Sequence, residues 1–440
     1  MNVSDKRILV WDHGFFLELA FRLARDVAKV YYCQPWEEAM SKMDKAIVGD
    51  GFDEIERVAE PWELIDKGLV DVVVFPDVHH AEMQLHIESL GIPVWGARKA
   101  DALELKKVHF KEVQEKLGMN FAPYHVVVGL DTLREFCKDP ENDDCWIKLS
   151  PQYRGHQETF HHADYQQSRG ILDSMGVEFG PLQDILKFVV EKSIESELEG
   201  GLDTYTVLGK HPQVAVLGYE IKDHSYFAAV KRYDEIAKEI TCVSDMLWPM
   251  LGELGCIQWI STEVKVTETK ESILLEPTIR MPSPAGEEQM ELYNNIAEII
   301  CAGASGELVE PVLEKDEEGD DCTYACEAMV EHTGDDEHWR GLEIPDEVRR
   351  WVKLYNLAKI GNTYAVGPGS DIIGAIVGIG DSPKAALDHL KEVKEAMKDQ
   401  PVKIHIESLA EAIQEIETAQ ENGIHFSNLP MPKPEEVLES

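Results

Sequence analysis

The sequence predicts a multidomain protein of mixed class, an α/β region with a doubly wound parallel sheet followed by α+β regions. Three observations carry this. The chain has 440 residues, and at about 100–200 residues per domain that makes two to four domains. Roughly its first hundred residues alternate short β-branched runs with helical stretches, the pattern of a parallel sheet covered on both faces. The middle of the chain instead alternates apolar and polar residues around short turns, the pattern of antiparallel strands.

The elements follow in order. Residues 7–11 (RILVW) read as a short buried strand that runs through His13-Gly14 into a helix over 15–27. Residues 28–33 (AKVYYC) and 70–76 (VDVVVFP) are further strands, the second ending at Asp77. A helix over 80–90 leads to a strand at 92–96. Residues 102–117 form a charged helix. Beyond it, 125–137 is strand then helix, 145–149 (CWIKL) a strand, 150–156 (SPQYRGH) a polar loop, and 188–194 (FVVEKSI) a strand. Residues 203–208 and 213–221 alternate as antiparallel strands, and 262–267 and 272–278 form a hairpin turning near 268–271. Residues 288–301 are helical, 313–321 (LEKDEEGDD) a solvated acidic loop, and 372–378 a strand. Ser382 is placed as N-cap and Pro383 as the first residue of a helix reaching Met397. A last amphipathic helix covers 408–422, and the Pro-rich end is expected to fray.

Charge limits the function. Lys and Arg number 42 against 83 Asp and Glu, a net charge of −41. Such a surface argues against general nucleic-acid binding and against docking on anionic lipid, and leaves room for a local basic pocket. No stretch of about 18 apolar residues suggests a membrane span, and the opening apolar run is a strand rather than a signal peptide. Eight scattered cysteines make no disulfide framework and fit a cytoplasmic, reducing compartment. Cys322 and Cys326, with His332 and His338, have the wrong spacing for the common zinc patterns and read as core.

Two groups of residues point to chemistry. Glu263 and Glu276 lie on the two arms of the hairpin, which would set them opposite each other. Facing carboxylates repel unless a cation sits between them. Glu276, Thr278 and Arg280 then share one face of the extended chain, a hard-oxygen site suited to Mg²⁺ with a cation beside it for phosphate. An acidic hairpin facing solvent fits the same residues. Neutralising one carboxylate of such a pair should leave stability unchanged or raise it. Lys148, inside an apolar strand, needs an anion. The loop after it carries Arg154-Gly155, and a lysine with such a loop can hold a polyphosphate. Lys107, with Lys106 and Lys111, lies on the charged helix, where a surface position is the plain reading. Glu191, Lys192 and Ile194 end an apolar strand whose backbone could read a flat base, with the carboxylate available to a ribose hydroxyl.

The order Lys107, Lys148, Val190–Ile194, Glu263, Glu276-x-Thr278-x-Arg280 resembles the ATP-grasp superfamily, within it the phosphoribosylamine–glycine ligases (glycinamide ribonucleotide synthetases), with stretches similar to biotin carboxylases. The opening strand and Gly14, and the C-terminal strand with its capped helix, are also similar to that family. The resemblance implies a pre-ATP-grasp domain at 1–104, a linker helix at 105–122, a mobile ATP lid at 123–204, a central subdomain with the metal site at 205–338, a C-terminal subdomain at 339–426 and a flexible tail at 427–440. It implies ATP with Mg²⁺ or Mn²⁺. Lys107, Lys148 and Arg154 would lie on the phosphates, Glu191, Lys192 and Ile194 at the adenosine, Glu263, Glu276 and Thr278 on the metal, and catalytic Arg280 on the transferring phosphoryl group. The implied activity is carboxylate–amine ligation through an acylphosphate, with small-molecule carboxylate and amine partners and homo-oligomerisation left open. A nucleotide binder without turnover, and a true phosphoribosylamine–glycine ligase, are the alternatives.

The departures fall mostly away from the ATP half. Thr278 stands where the family has Asn, RMPSPAGEEQ where it has RFGDPE, Gln34-Pro35-Trp36 near the start and GPGSDIIG near the end. Trp36 and Pro368 would narrow a sugar-phosphate pocket and Asp371 would repel a phosphate, so the expected acceptor is less anionic than phosphoribosylamine. His13, His79 and His80 follow strand ends where a doubly wound sheet binds ligands, whereas His161 and His162 read as structural or surface.

Overall fold

The structure is a computed structural model that describes residues 2–34, 48–152, 159–194, 198–334, 338–367 and 371–438. The first sheet is parallel, in the order Glu56–Arg57, Lys29–Cys33, Arg7–Trp11, Val72–Val74, Val94–Trp95. The chain winds one way from Arg7–Trp11 and then the other, so the crevice between the carboxyl ends of Arg7–Trp11 and Val72–Val74 is the switch point where such sheets bind ligands. Leu17–Ala24 is shorter than the predicted helix, and buries Leu17, Leu19, Ala20 and Leu23. Gly14, with φ +97°, is required before it: a Cβ would come within 2.4 Å of both Asn356 Oδ1 and Gln34 Nε2.

The predicted helix over 102–117 is two helices, Asp101–Leu105 and Lys107–Leu117. Lys106 leaves helical geometry (φ −111°, ψ 78°), and the freed Leu105 carbonyl accepts from Gln152 N at 2.8 Å. An antiparallel sheet follows, in the order Tyr124–Val128, Lys187–Lys192, Cys145–Ser150, Thr159–His162. It packs with the helix Tyr165–Phe179 around its own core of Leu133, Ile147, Leu149, Leu172 and Phe188. This unit ends at 192. The expected boundary at 204 falls inside Leu198–Val207, a strand of the central sheet.

That central sheet has nine strands. Its main path runs Ser272–Thr278, Ile257–Val266, Leu198–Val207, Val214–Ile221, Ser225–Arg232, Tyr324–His332, Ile372–Gly380, Val352–Leu354. The last two lie beyond the expected boundary at 338, so the C-terminal region extends the central sheet rather than standing apart. It adds a three-stranded sheet, Arg340–Leu342, Thr363–Val366, Leu357–Ile360. One hydrophobic core runs from the first sheet to the C-terminal helices. Ser225–Arg232 and the helix Lys238–Glu253 went unread in the sequence. The predicted helix over 288–301 is interrupted between Leu292 and Ile296, because Asn294 N donates to Val312 O and Glu314 N to Leu292 O, each at 2.8 Å. Ser382 caps Pro383–Ala396 as predicted, its Oγ accepting from Ala385 N at 3.3 Å. The Pro-rich end is packed rather than frayed at Pro434–Leu438, where Val437 is buried. Among the described residues no helix is long and apolar enough to cross a membrane. Cys322 and Cys326 are both buried.

Candidate active site

The hairpin sets the site. Ile257–Val266 and Ser272–Thr278 pair with Glu263 opposite Glu276 and Ser261 opposite Thr278, the opposition expected from the spacing. The two carboxylates nevertheless keep different company. Glu276 Oε2 accepts from Lys107 Nζ at 2.8 Å and lies 3.8 Å from Lys148 Nζ. Lys148 Nζ also lies 3.0 Å from Glu191 Oε2 and donates to Leu275 O at 3.4 Å. Lys111 pairs with the other oxygen of Glu191. Three ammonium groups therefore share two carboxylates, and all three lysines are buried.

The charges tune one another. Burial pushes the Glu276 carboxyl up, but Lys107 and Lys148 outweigh it and the net shift is downward. Burial likewise lowers the Lys148 ammonium and is outweighed by Glu276 and Glu191, for a net rise. Lys111 goes the other way: burial lowers it by more than Glu191 restores. Neutralising Glu276 would thus strand buried Lys107 and leave Lys148 with Glu191 alone, which reverses the expectation that such a change leaves stability intact.

Glu263 is raised by burial and by neighbouring Glu199, Glu220 and Glu276. Thr278 and Arg280 line the same cleft as Glu263, with Glu199, Asp203, Glu220, Tyr226 and Ser261, around a cavity of about 100 Å³. Glu263, Glu276 and Thr278 offer oxygens only, the donor set a hard divalent cation takes, and Glu263, crowded by other carboxylates, fits one. Arg280 is held by residues the sequence did not single out. Its Nε donates to Glu104 Oε1 at 2.9 Å and lies 3.9 Å from Asp77 Oδ1, while Glu104 Oε2 accepts from Ile279 N at 2.7 Å.

The remaining predicted residues divide. Glu191 is in the site, but its carboxylate is committed to Lys111 and Lys148 instead of being open to a ribose hydroxyl. The Lys192 side chain is exposed, its backbone N donates to Pro123 O at 3.0 Å, and Ile194 lies just past the strand end. Arg154, Trp36 and Pro368 lie outside the described residues. Lys111 reads as surface from sequence and is buried in the site. The missed signal is its spacing of four from Lys107, which puts both on one helix face. At the switch point His13 Nε2 and His80 Nε2 lie 2.9 Å apart with stacked rings, and Asp12 accepts from Tyr32 OH at 2.8 Å. His162 is buried against Ser168, at 2.7 Å, and His161 pairs with Asp144 on the surface, as expected of structural positions.

Comparison with solved structures fixes the architecture. The chain superposes on phosphoribosylamine–glycine ligase from Thermotoga maritima with a TM-score of 0.63 and 14% identity, covering 90% of this chain and 97% of that one. It superposes on the biotin carboxylase domain of Hydrogenobacter thermophilus 2-oxoglutarate carboxylase, a complex with MgADP, ADP and bicarbonate, with a TM-score of 0.60 and 14% identity over 96% of each chain. Against carboxyaminoimidazole ribonucleotide synthase from Aspergillus clavatus complexed with ATP the TM-score is 0.58 at 12% identity, over 90% of this chain and 99% of that one. The chain has the ATP-grasp fold. No family model and no curated protein matches its sequence.

Proposed function

We propose that the chain is an ATP-dependent carboxylate–amine ligase working through an acylphosphate. The observation that carries this is the convergence of Lys107 and Lys148 on Glu276, opposite Glu263, at the mouth of an ATP-grasp cleft. Lys107, Lys148 and Arg154 take the phosphates of ATP, releasing Glu276 from its lysines. Lys111 stays with Glu191 beneath the adenosine, next to Lys192 and Ile194. Glu263, Glu276 and Thr278 would hold Mg²⁺, which when bound would supply charge neutralisation at the phosphates. Arg280, kept in place by Glu104, faces the transferring phosphoryl group. A substrate carboxylate oxygen bonds to the γ-phosphorus as the bond to ADP breaks. An amine nitrogen then bonds to the acyl carbon, phosphate leaves, and the nitrogen gives up a proton. The sheet at 124–192 acts as the lid, and the buried free thiols suit the cytoplasm.

Hydroxylamine tests the central intermediate, because it converts an acylphosphate to a stable hydroxamate. Incubation with ATP, Mg²⁺ and a panel of carboxylic acids should yield hydroxamate with at least one acid, in step with ADP. Tight nucleotide binding with no hydroxamate and no ADP from any acid would favour a nucleotide binder without turnover. Hydroxamate from glycine alone, with turnover on phosphoribosylamine at about one per second or faster, would make the chain a plain phosphoribosylamine–glycine ligase.

A further inference from the structure

The nitrogen that attacks an acylphosphate must lose a proton. At the nucleotide end of the cleft nothing can take it: Lys107, Lys148 and Arg280 are cations, and a metal would occupy Glu263, Glu276 and Thr278. Glu199, Asp203, Glu220 and Glu263 make the opposite wall acidic, and Ser261 lies among them. Asp203, Ser261 and Thr278 are directly opposite one another on three neighbouring strands. Side chains in such a cross-strand row leave the same face of the sheet, about 5 Å apart. Ser261 is thus the hydroxyl between the Asp203 carboxylate and Thr278, and Arg280 follows two residues beyond Thr278, at the transferring phosphoryl group.

Ser261 is half-buried and lines the cleft, whereas Asp203 is buried behind it. The Asp203 carboxylate has two hydroxyl donors: Tyr226, whose OH donates to Oδ2, and Ser261. Tyr226 comes from a strand on the far side, where it lies opposite Glu220 and Glu327 in the ladders. Its ring crosses Gly218 so closely that a Cβ there would sit 1.8 Å from the phenol oxygen, so the bare position at 218 is what lets it reach Asp203. The floor beside the carboxylate is bare as well. Gly200 and Gly201 line it, and a Cβ at Gly201 would stand 3.6 Å from Asp203 Oδ2. Tyr226 therefore fixes the carboxylate from behind, and Ser261 connects it to the cleft. Burial raises the Asp203 carboxyl to about 6, so it is ionised at neutral pH and still basic enough to accept a proton. The groups that feel its charge, Glu220, Tyr226, Glu288 and Tyr293, include no cation to pull it down.

We propose that Ser261 is the catalytic hydroxyl that takes the proton from the attacking amine and passes its own to Asp203, with Tyr226 as the positioning residue that holds Asp203 in place; this rests on the ligase reading. The neutral amine nitrogen bonds to the acyl carbon of the acylphosphate. The bond from that carbon to the phosphate oxygen breaks, and phosphate leaves with the electron pair. One proton moves from the nitrogen to Ser261 Oγ as the proton already on Oγ moves to Asp203. Ser261 ends as the hydroxyl it began as, and Asp203 ends as the neutral acid, which solvent then deprotonates.

The test compares two nucleophiles on the full chain, with ATP, Mg²⁺ and the acid that gives most hydroxamate. The adduct of hydroxylamine is acidic enough to lose its proton to water, whereas the adduct of ammonia needs a base. Ser261→Ala and Asp203→Asn should each lower the ratio of amide from ammonia to hydroxamate from hydroxylamine by about 10²-fold or more, the scale of general-base catalysis. Ser261→Thr, which keeps a hydroxyl, should retain most of that ratio. Ser261 is half-buried, so its variants report even if the Asp203 variant misfolds. A ratio indifferent to Ser261→Ala, or as low in Ser261→Thr as in Ser261→Ala, overturns the proposal. So does an equal loss of both products, which would make the pair structural. Hydroxamate from the wild type with no amide from ammonia removes the relay and keeps the ligase reading. Neither hydroxamate nor ADP from any acid removes the ligase reading and the relay with it.

Discussion

The two ends of the cleft handle buried charge in opposite ways. At one end Lys107, Lys111 and Lys148 interlock with Glu191 and Glu276, and every charge has a partner. At the other, Glu199, Asp203, Glu220 and Glu263 line the cleft together, with Arg280 beside them. The first arrangement is poised for an anion, because its excess is positive and its carboxylate can be traded for phosphate. The second is poised for a cation. A ligase joining an activated acid to an amine needs both, side by side.

Changes at Glu276 should separate the two ends most sharply. Glu276→Gln should cut turnover by about 10²–10³-fold or more, the scale of losing one preorganised electrostatic group, as read from ADP release with the best acid found by hydroxamate trapping. It should also lower the urea midpoint without ligand, because Lys107 and Lys148 lose their shared partner. A variant that keeps wild-type turnover would break the metal assignment. A variant that is more stable than wild type would break the contrast between the ends.

A smaller effect should appear in the pH dependence of stability. Burial raises the Asp203 carboxyl to about 6. A carboxyl raised in the folded state contributes stability that is full below its unfolded pKa, about 4, and is lost as pH rises through the folded value. Glu276, shifted down, does the reverse: its contribution is present above the unfolded pKa and is lost as pH falls. Urea midpoints of the wild type should therefore decline from about pH 5 to pH 8, and Asp203→Asn should flatten that decline. A decline of the same size in the variant would mean that the Asp203 carboxyl is not raised in the folded state.

The same contrast explains what the sequence disclosed. Lys148 was legible because an ammonium inside CWIKL demands an anion, and Glu263 and Glu276 because hairpin register is set by the turn. Gly14 and the Ser382–Pro383 cap are local signals that the fold kept. The acidic wall depends on long-range pairing instead. Glu327 meets Tyr226 across a gap of about a hundred residues, through a strand at Ser225–Arg232 that no periodicity announced. Likewise Glu104, the holder of Arg280, is 176 residues from it in the chain. The break at Lys106 and the interruption before Ile296 arise from hydrogen bonds to distant backbone, which a local pattern cannot contain.

Binding of nucleotide decides the account most directly. Calorimetric titration with a non-hydrolysable ATP analogue should show one site per chain, with affinity falling at least tenfold when Mg²⁺ is removed by chelation, and a further loss in Lys148→Met. Absence of binding at millimolar analogue in the presence of Mg²⁺ would contradict it.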